Sequence, residues 1–317
     1  MNKGASFLIW MALLFAPDVH GQNFPSKPIT MICPCATGNT PDRYLRGFAD
    51  IATKYLGQPI TVQNIPGGIG TRGLATMAAN ARPDGYTLSV FPIVAFRVPH
   101  VEKVSWHPLR DFTLIIGIAA FTYGVVVNAD SKFQTIGDLI AYAKANPDAL
   151  RYGTGDFGGT PHLTMEDLAV KTGVRFVRVA SGPMANVEKL LSEGRIHAFA
   201  GGVEWAPNVD SGKFRLLVTF GERRSRWNAP TALELGYEVH NYSPFGIAGP
   251  KGVDPAIVKI LHDGFNRALD DPEYDRLLKR LEMVDWYKSS EEYADWAIDQ
   301  FEFQRALLKR TIGLGGN

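Results

Sequence analysis

Two stretches of the chain set a strand end, glycines and a Thr-Pro pair close together: ICPCATGNTPDR at 32–43 and GTGDFGGTPHL at 153–163. A Thr-Pro pair suits the start of a helix, because the hydroxyl can cap it and proline is tolerated at the first helical position. The first backbone N–H groups of a helix have no internal partner, so they can hold an anion without a cationic side chain. Thr40 is expected to cap the first helix, with Asp42 complementing its positive end. Thr160 reads either as a cap alone or as a cap that also offers its hydroxyl to a ligand. Two such units about a hundred residues apart, facing each other, would clamp a small anion, and the chemistry they favour is carboxylate binding.

Other reactive residue types are present without the spacing that would put them to work. Cys33 and Cys35 are the only cysteines. Two residues apart in an extended segment, they lie near the upper distance limit for a bridge, so free, partly buried thiols are expected. No local motif couples either one to a base, which leaves a secreted Cys-dependent enzyme as a poorly supported alternative. Gly68, Gly70 and Gly73 match G-x-G-x-x-G, but the next strand ends without an acidic residue for a ribose. Their plainer use is a tight turn that brings a helix close to a sheet. His100 and His107 have no second ligand at metal-binding spacing, so neither a metal nor a cofactor is expected.

The elements that must position these loops alternate along the chain. Strands are predicted at 29–33, 60–63, 86–91, 112–118, 123–127, 150–153, 176–179, 196–200, 216–220 and 245–250. Helices are predicted after Thr40, Thr135, Thr160 and Pro183, and three amphipathic helices starting near Asp254, Asp271 and Ser289 close the chain. This order is that of an α/β protein.

At 317 residues, 45% hydrophobic and net charge +1, the chain is long enough for two domains and gives no reason to expect nucleic acid as a partner. Lys3, an apolar run at 5–16 and small residues before Gln22 read as a signal peptide over 1–21. The mature protein is therefore expected to be soluble outside the cytoplasm; a monomer in the periplasm is expected.

Taken together, these stretches resemble a family: the periplasmic substrate-binding receptors of tripartite tricarboxylate transporters, also called the Bordetella uptake receptors. The likeness spans nearly the whole mature chain. It rests on FPSKPI at 24–29, the loop at 34–42, LGQPITVQN at 56–64, PGGIG at 66–70, PDGYTL at 83–88, the loop at 153–163, SGKFRLLVTF at 211–220 and FGIAGPKGVDP at 245–255.

The resemblance implies two α/β domains of the periplasmic-binding-protein (Venus flytrap) type, with ligand in the cleft and two crossings between them. Domain 1 would be 24–125 plus 246–317, and domain 2 would be 126–245. It implies a receptor and not an enzyme, working with membrane permease subunits. A ligand-sensing receptor for a membrane kinase is the alternative use of the same fold. Carried over by residue, the first loop offers Thr37, Gly38, Asn39 and Thr40, and the second offers Gly158, Gly159, Thr160 and Pro161. Ser181 stands in the family's Tyr-Lys-Gly turn, and Gly201 belongs to the same cleft lining.

His197 replaces an acidic residue that often lines the cleft, which disfavours amine ligands and could pair with a second carboxylate. Phe91, Phe157 and Trp205 lie at or beside cleft positions, where they would stack on a ring or else pack in the core. An aromatic or dicarboxylic acid, phthalate or terephthalate among them, is the expected ligand.

Overall fold

The computed structural model of the chain describes residues 24–155, 157–180, 184–221, 224–239 and 243–314. The β-branched run of β1 (Ile29–Cys33) is buried and leads through a short loop to α1 (Thr40–Leu56). Tyr44, Leu45, Phe48, Ala49, Ala52 and Leu56 give α1 one apolar face, and Gly57 ends it in the left-handed conformation, φ 72°, donating its N–H to Thr53 O. There follow β2 (Ile60–Asn64), α2 (Arg72–Asn80), β3 (Thr87–Pro92) and two 3-10 turns, Ile93–Phe96 and Val98–His100. Next come β4 (Phe112–Phe121), β5 (Tyr123–Asn128), α3 (Ile136–Ala145), β6 (Arg151–Thr154), α4 (Thr160–Thr172), β7 (Val177–Ala180), α5 (Met184–Ser192) and β8 (Ala198–Gly201). The chain continues through α6 (Ala206–Asp210), β9 (Phe214–Phe220), β10 (Ser243–Pro250), α7 (Pro255–Leu269), α8 (Pro272–Leu281), β11 (Met283–Lys288) and α9 (Ser290–Ile312).

Two sheets result, ordered β11-β4-β10-β3-β1-β2 and β7-β6-β8-β5-β9. In the first, β1 lies between its parallel neighbours β2 and β3. In the second, β6 lies between its parallel neighbours β7 and β8. Both glycine loops therefore leave the carboxyl end of a strand at the point where the winding reverses, the position at which open α/β sheets hold ligands.

Each sheet is covered on both faces. The first packs Tyr44, Phe48, Phe265 and Tyr274 on one side and Leu74, Met77, Phe96 and Ala297 on the other. The second packs Leu139, Met165 and Leu168 on one side and Val187, Leu191 and Trp205 on the other.

The chain crosses between sheets at Thr122, the single residue separating β4 from β5. Tyr123, Gly124 and Val125 thus pair in the second sheet, three residues ahead of the expected boundary, because one continuous extended run serves both sheets. The return enters the first sheet at Ser243. One strand, β11, was not expected: MVDWYK lacks clear alternation and forms an edge by pairing with β4.

The closing helix serves both halves. Its first part packs Tyr293 and Ala297 on the first sheet, whereas Leu307 and Leu308 cluster with Leu163 of α4. Arg310 Nε also donates to the fully buried Asp167 Oδ1 at 2.7 Å. Among the described residues no helix is long and apolar enough to cross a membrane.

Candidate carboxylate-binding cleft

The two loops share one backbone design. Gly38 and Gly158 both adopt left-handed φ, 87° and 74°. The helix caps that follow, Asn39 and Gly159, have φ/ψ of −65°/162° and −66°/163°. In each loop the left-handed glycine donates its N–H to the side chain four residues on. Gly38 donates to Asp42 Oδ2 at 2.8 Å, and Gly158 donates to His162 Nδ1 at 2.9 Å.

The predicted caps are therefore displaced by one residue. Thr40 and Thr160 are the first helical residues, and neither caps its helix with a side-chain bond. The physical reason is that a side chain of the helix's own first turn, Asp42 or His162, already anchors the preceding loop. The N–H groups of Gly38 and Gly158 are engaged internally as well, which leaves the first-turn amides of α1 and α4 to face an anion.

Asp42 is 2% exposed and locks the first loop. It accepts from Arg46 Nε at 3.0 Å and Asn64 Nδ2 at 2.8 Å, in addition to Gly38. Burial by itself would raise its pKa, but the bonds from Gly38, Arg46 and Asn64 outweigh that and hold it below the usual carboxylate range. His162 behaves oppositely. Burial, with the Arg178 and Arg97 charges nearby, brings its pKa down to about 4, so it accepts the Gly158 N–H as a neutral ring.

Between the loops lies a cavity of about 500 Å³. Pro34, Cys35 and Pro41 form one side, and Phe157, Gly158 and Gly159 face them from the second sheet's loop. Ile69, Val94, Val98, Val101, Phe245 and Leu308 make most of the remaining wall apolar. Its cation is Arg97, which is 3% exposed. Arg97 donates from Nε to Gln304 Oε1 at 2.8 Å and from a terminal nitrogen to Gly158 O at 3.1 Å, with longer contacts of 3.4 and 3.5 Å to Thr160 Oγ1. Every one of these acceptors is neutral, and among the described residues no carboxylate pairs with it. Burial draws its pKa down to about 10, so it remains cationic at neutral pH.

The structure distributes the sequence-predicted residues unevenly. Phe157, Gly158 and Gly159 line the cavity, and Thr160 lies behind it against Arg97. Thr37, Gly38 and Asn39 stand exposed on the first loop, and Pro161 is half-buried.

Four predicted contacts lie away from this cavity. Phe91 is fully buried and packs edge-on against Phe96 and Phe112. Trp205 is also fully buried, donates from Nε1 to Gly201 O at 3.1 Å and meets Trp227. Gly201 is buried at the end of β8 and serves that bond. His197 sits at the opposite end of β8, where it accepts the Arg151 N–H at 3.0 Å and packs on Tyr142. Burial lowers its pKa, so it offers no charge to a second carboxylate. Sheets covered on both faces bury aromatics whichever way they point, so side-chain type alone could not place these residues. Ser181 lies outside the described residues, as do the 1–21 segment and Asp156.

Arg97 escaped the sequence reading, although a signal was present: IVAFRVPHV is a lone cation inside an apolar run, which marks a buried charge. The glycine motif has its plainer role. A Cβ at Gly73 would sit 2.6 Å from Ile32 Cγ2, so the residue permits α2 to approach β1. Cys33 and Cys35 carry free thiols, and the hydrogen bond with Cys35 plus burial push the Cys33 thiol up, away from the thiolate a nucleophile needs.

The chain also compares directly with known proteins. The profile of the tripartite tricarboxylate transporter family receptor matches residues 44–314. A UPF0065 protein in the gbd 5' region of Cupriavidus necator is 41% identical over 300 residues, covering 94% of this chain and 91% of that one. Protein BugT of Bordetella pertussis is 31% identical over 80% of each chain. A crystal structure of a TctC solute binding protein from Polaromonas superposes with a TM-score of 0.80 at 26% identity, covering 90% of this chain and 99% of that one. The chain belongs to the tripartite tricarboxylate transporter receptor family, and its fold is that of the two-domain periplasmic binding proteins.

Proposed function

We propose that this member of the receptor family captures a small organic carboxylate outside the cytoplasm and delivers it to the membrane permease subunits of a tripartite tricarboxylate transporter. Residues 1–21 act as the signal peptide, and the mature protein works as a monomer without catalysis. The two lobes, divided at Thr122 and at the return into Ser243, close on the ligand.

The observation that carries this reading is the convergence of two identically shaped helix starts on a cavity whose cation, Arg97, has only neutral partners among the described residues. Of the two ligand classes expected, dicarboxylic acids lose the support of His197, which lies away from the cleft. Aromatic acids keep that of Phe157, 62% exposed and on the cavity wall.

A thermal-shift screen of the purified protein against mono-, di- and tricarboxylates tests the reading, since a ligand that binds only the folded state raises Tm by mass action. At least one acid class is expected to raise Tm. A panel in which no acid does so at millimolar concentration would sink the carboxylate reading.

A further inference from the structure

Four large apolar side chains that are exposed to solvent gather at this one cavity: Ile69 at 56%, Val101 at 37%, Phe157 at 62% and Leu314 at 44%. They are half of the eight such residues among those described, so the clustering is a property of the site and not of the surface at large. Ile69 adds a second sign. It is a β-branched residue held at φ 53°, a conformation that costs energy and that persists where a site requires it. Beneath this rim lies one guanidinium. Glu102 is the wall's acidic residue, and Arg97 its basic one.

We propose that the cleft selects amphipathic monocarboxylates, with one carboxylate on Arg97 and an aliphatic or aromatic body along the apolar rim. The proposal rests on the carboxylate-receptor reading above and narrows its substrate class.

Arg97 has five N–H bonds, and four contacts to three neutral acceptors leave at least one of them for a ligand oxygen. Its whole charge is uncompensated by any described carboxylate. Gln304 strengthens the case. Its Oε1 holds Arg97, which fixes the orientation of the amide, and its Nε2 is buried without a hydrogen-bond partner among the described residues. With Gln304 holding it in place, the buried cation on the cavity wall suits one anionic head. A second carboxylate would meet either the hydrocarbon of the rim or the like charge of Glu102. An apolar body loses nothing there, and each buried methylene adds to affinity.

The test is calorimetric titration of the purified protein with butanoate, hexanoate, octanoate and benzoate, set against adipate, octanedioate and terephthalate. Affinity is expected to rise about fourfold per methylene along the monoacids. Each diacid is expected to bind at least tenfold more weakly than the monoacid of equal length. Diacids that bind as tightly as monoacids, or tighter, overturn the proposal while leaving the receptor reading intact. If no acid of either kind binds, both fall.

The role of Arg97 is read separately from the ratio of hexanoate to hexanamide affinity. That ratio is expected to exceed tenfold in the native protein and to collapse towards one in Arg97→Gln. A native ratio near one overturns the assignment even if the variant does not fold, and an unchanged ratio in a folded variant does the same.

Discussion

Arg97 Nε lies 2.8 Å from Gln304 Oε1, a contact that ties the buried cation of the cleft to the helix running across both lobes. Gln304 is 1% exposed and shares the buried face of α9 with Tyr293, Ala297, Leu307 and Leu308. A neutral acceptor steadies the guanidinium without cancelling its charge, which a carboxylate at the same place would do.

Gln304→Glu turns that difference into a measurement. The new carboxylate is expected to pair with Arg97, so Tm holds or rises while affinity for organic acids drops by about tenfold or more, equivalent to about 1.4 kcal/mol. Undiminished acid affinity in a variant of native Tm would show that the Arg97 charge is not what the ligand meets.

Thr40→Ala with Thr160→Ala tests the loops. Neither threonine caps its helix, so the usual capping loss is absent. Thr40 Oγ1 accepts from Arg43 at the surface, at 3.3 Å, and Thr160 Oγ1 has long contacts to Arg97. The double variant is expected to lose about 1 kcal/mol of stability or less. A hydroxyl that reaches the bound carboxylate contributes about 1.5 to 3 kcal/mol, so if either threonine does so, acid affinity falls by at least tenfold. Native affinity by calorimetry would remove both hydroxyls from the site.

Most of the fold was legible because punctuation and periodicity agreed. Thr135 and Ser289 form capping boxes with Asp138 and Glu292, and Asp254 and Asp271 cap the helices that start beside them. What was not legible depended on long-range packing. β11 adds an edge by pairing with β4 on the side away from β10, and MVDWYK alone gives little alternation. The loop glycines could be read as loop formers, but their N–H partners Asp42 and His162 depend on a backbone shape the sequence does not display. Arg97 and Gln304 lie 207 residues apart in sequence, beyond any spacing rule.

Arg310→Ala tests the bridge between lobes. Asp167 is fully buried, and after the change its remaining ionic partner among the described residues is Lys171, at 3.4 Å. Breaking one arm of a buried ionic group costs about 1 to 3 kcal/mol. Urea unfolding should report a loss in that range, and a change under about 0.5 kcal/mol would mean that α9 is held to α4 by Leu163, Leu307 and Leu308 alone.

Gly246→Ala probes the centre of the first sheet. A Cβ there would stand 2.2 Å from Ile116 O and 2.4 Å from Tyr293 Cε1. A backbone carbonyl cannot swing aside as a flexible side chain can. The variant is expected to lose about 3 kcal/mol or to misfold, whereas near-native stability would mean that β4 and β10 can separate freely.

His162 gives the acid response a sign. Its ring is buried and neutral, with a folded pKa of about 4 against an ordinary value of 6.5. Between those values the unfolded chain binds the proton and the folded chain does not, so the free energy of unfolding falls as pH drops from 6.5 towards 4. Below 4 both states carry the proton and this contribution no longer changes. The slope from one such group cannot exceed about 1.4 kcal/mol per pH unit. His162→Asn keeps a side-chain oxygen able to accept the Gly158 N–H but has no proton to gain. Unfolding midpoints in urea at pH 7, 6, 5 and 4 should therefore fall less steeply for the variant than for the native chain. Parallel curves would mean that the ring takes up its proton at the same pH folded as unfolded, and the Gly158 N–H would then need another acceptor once it does.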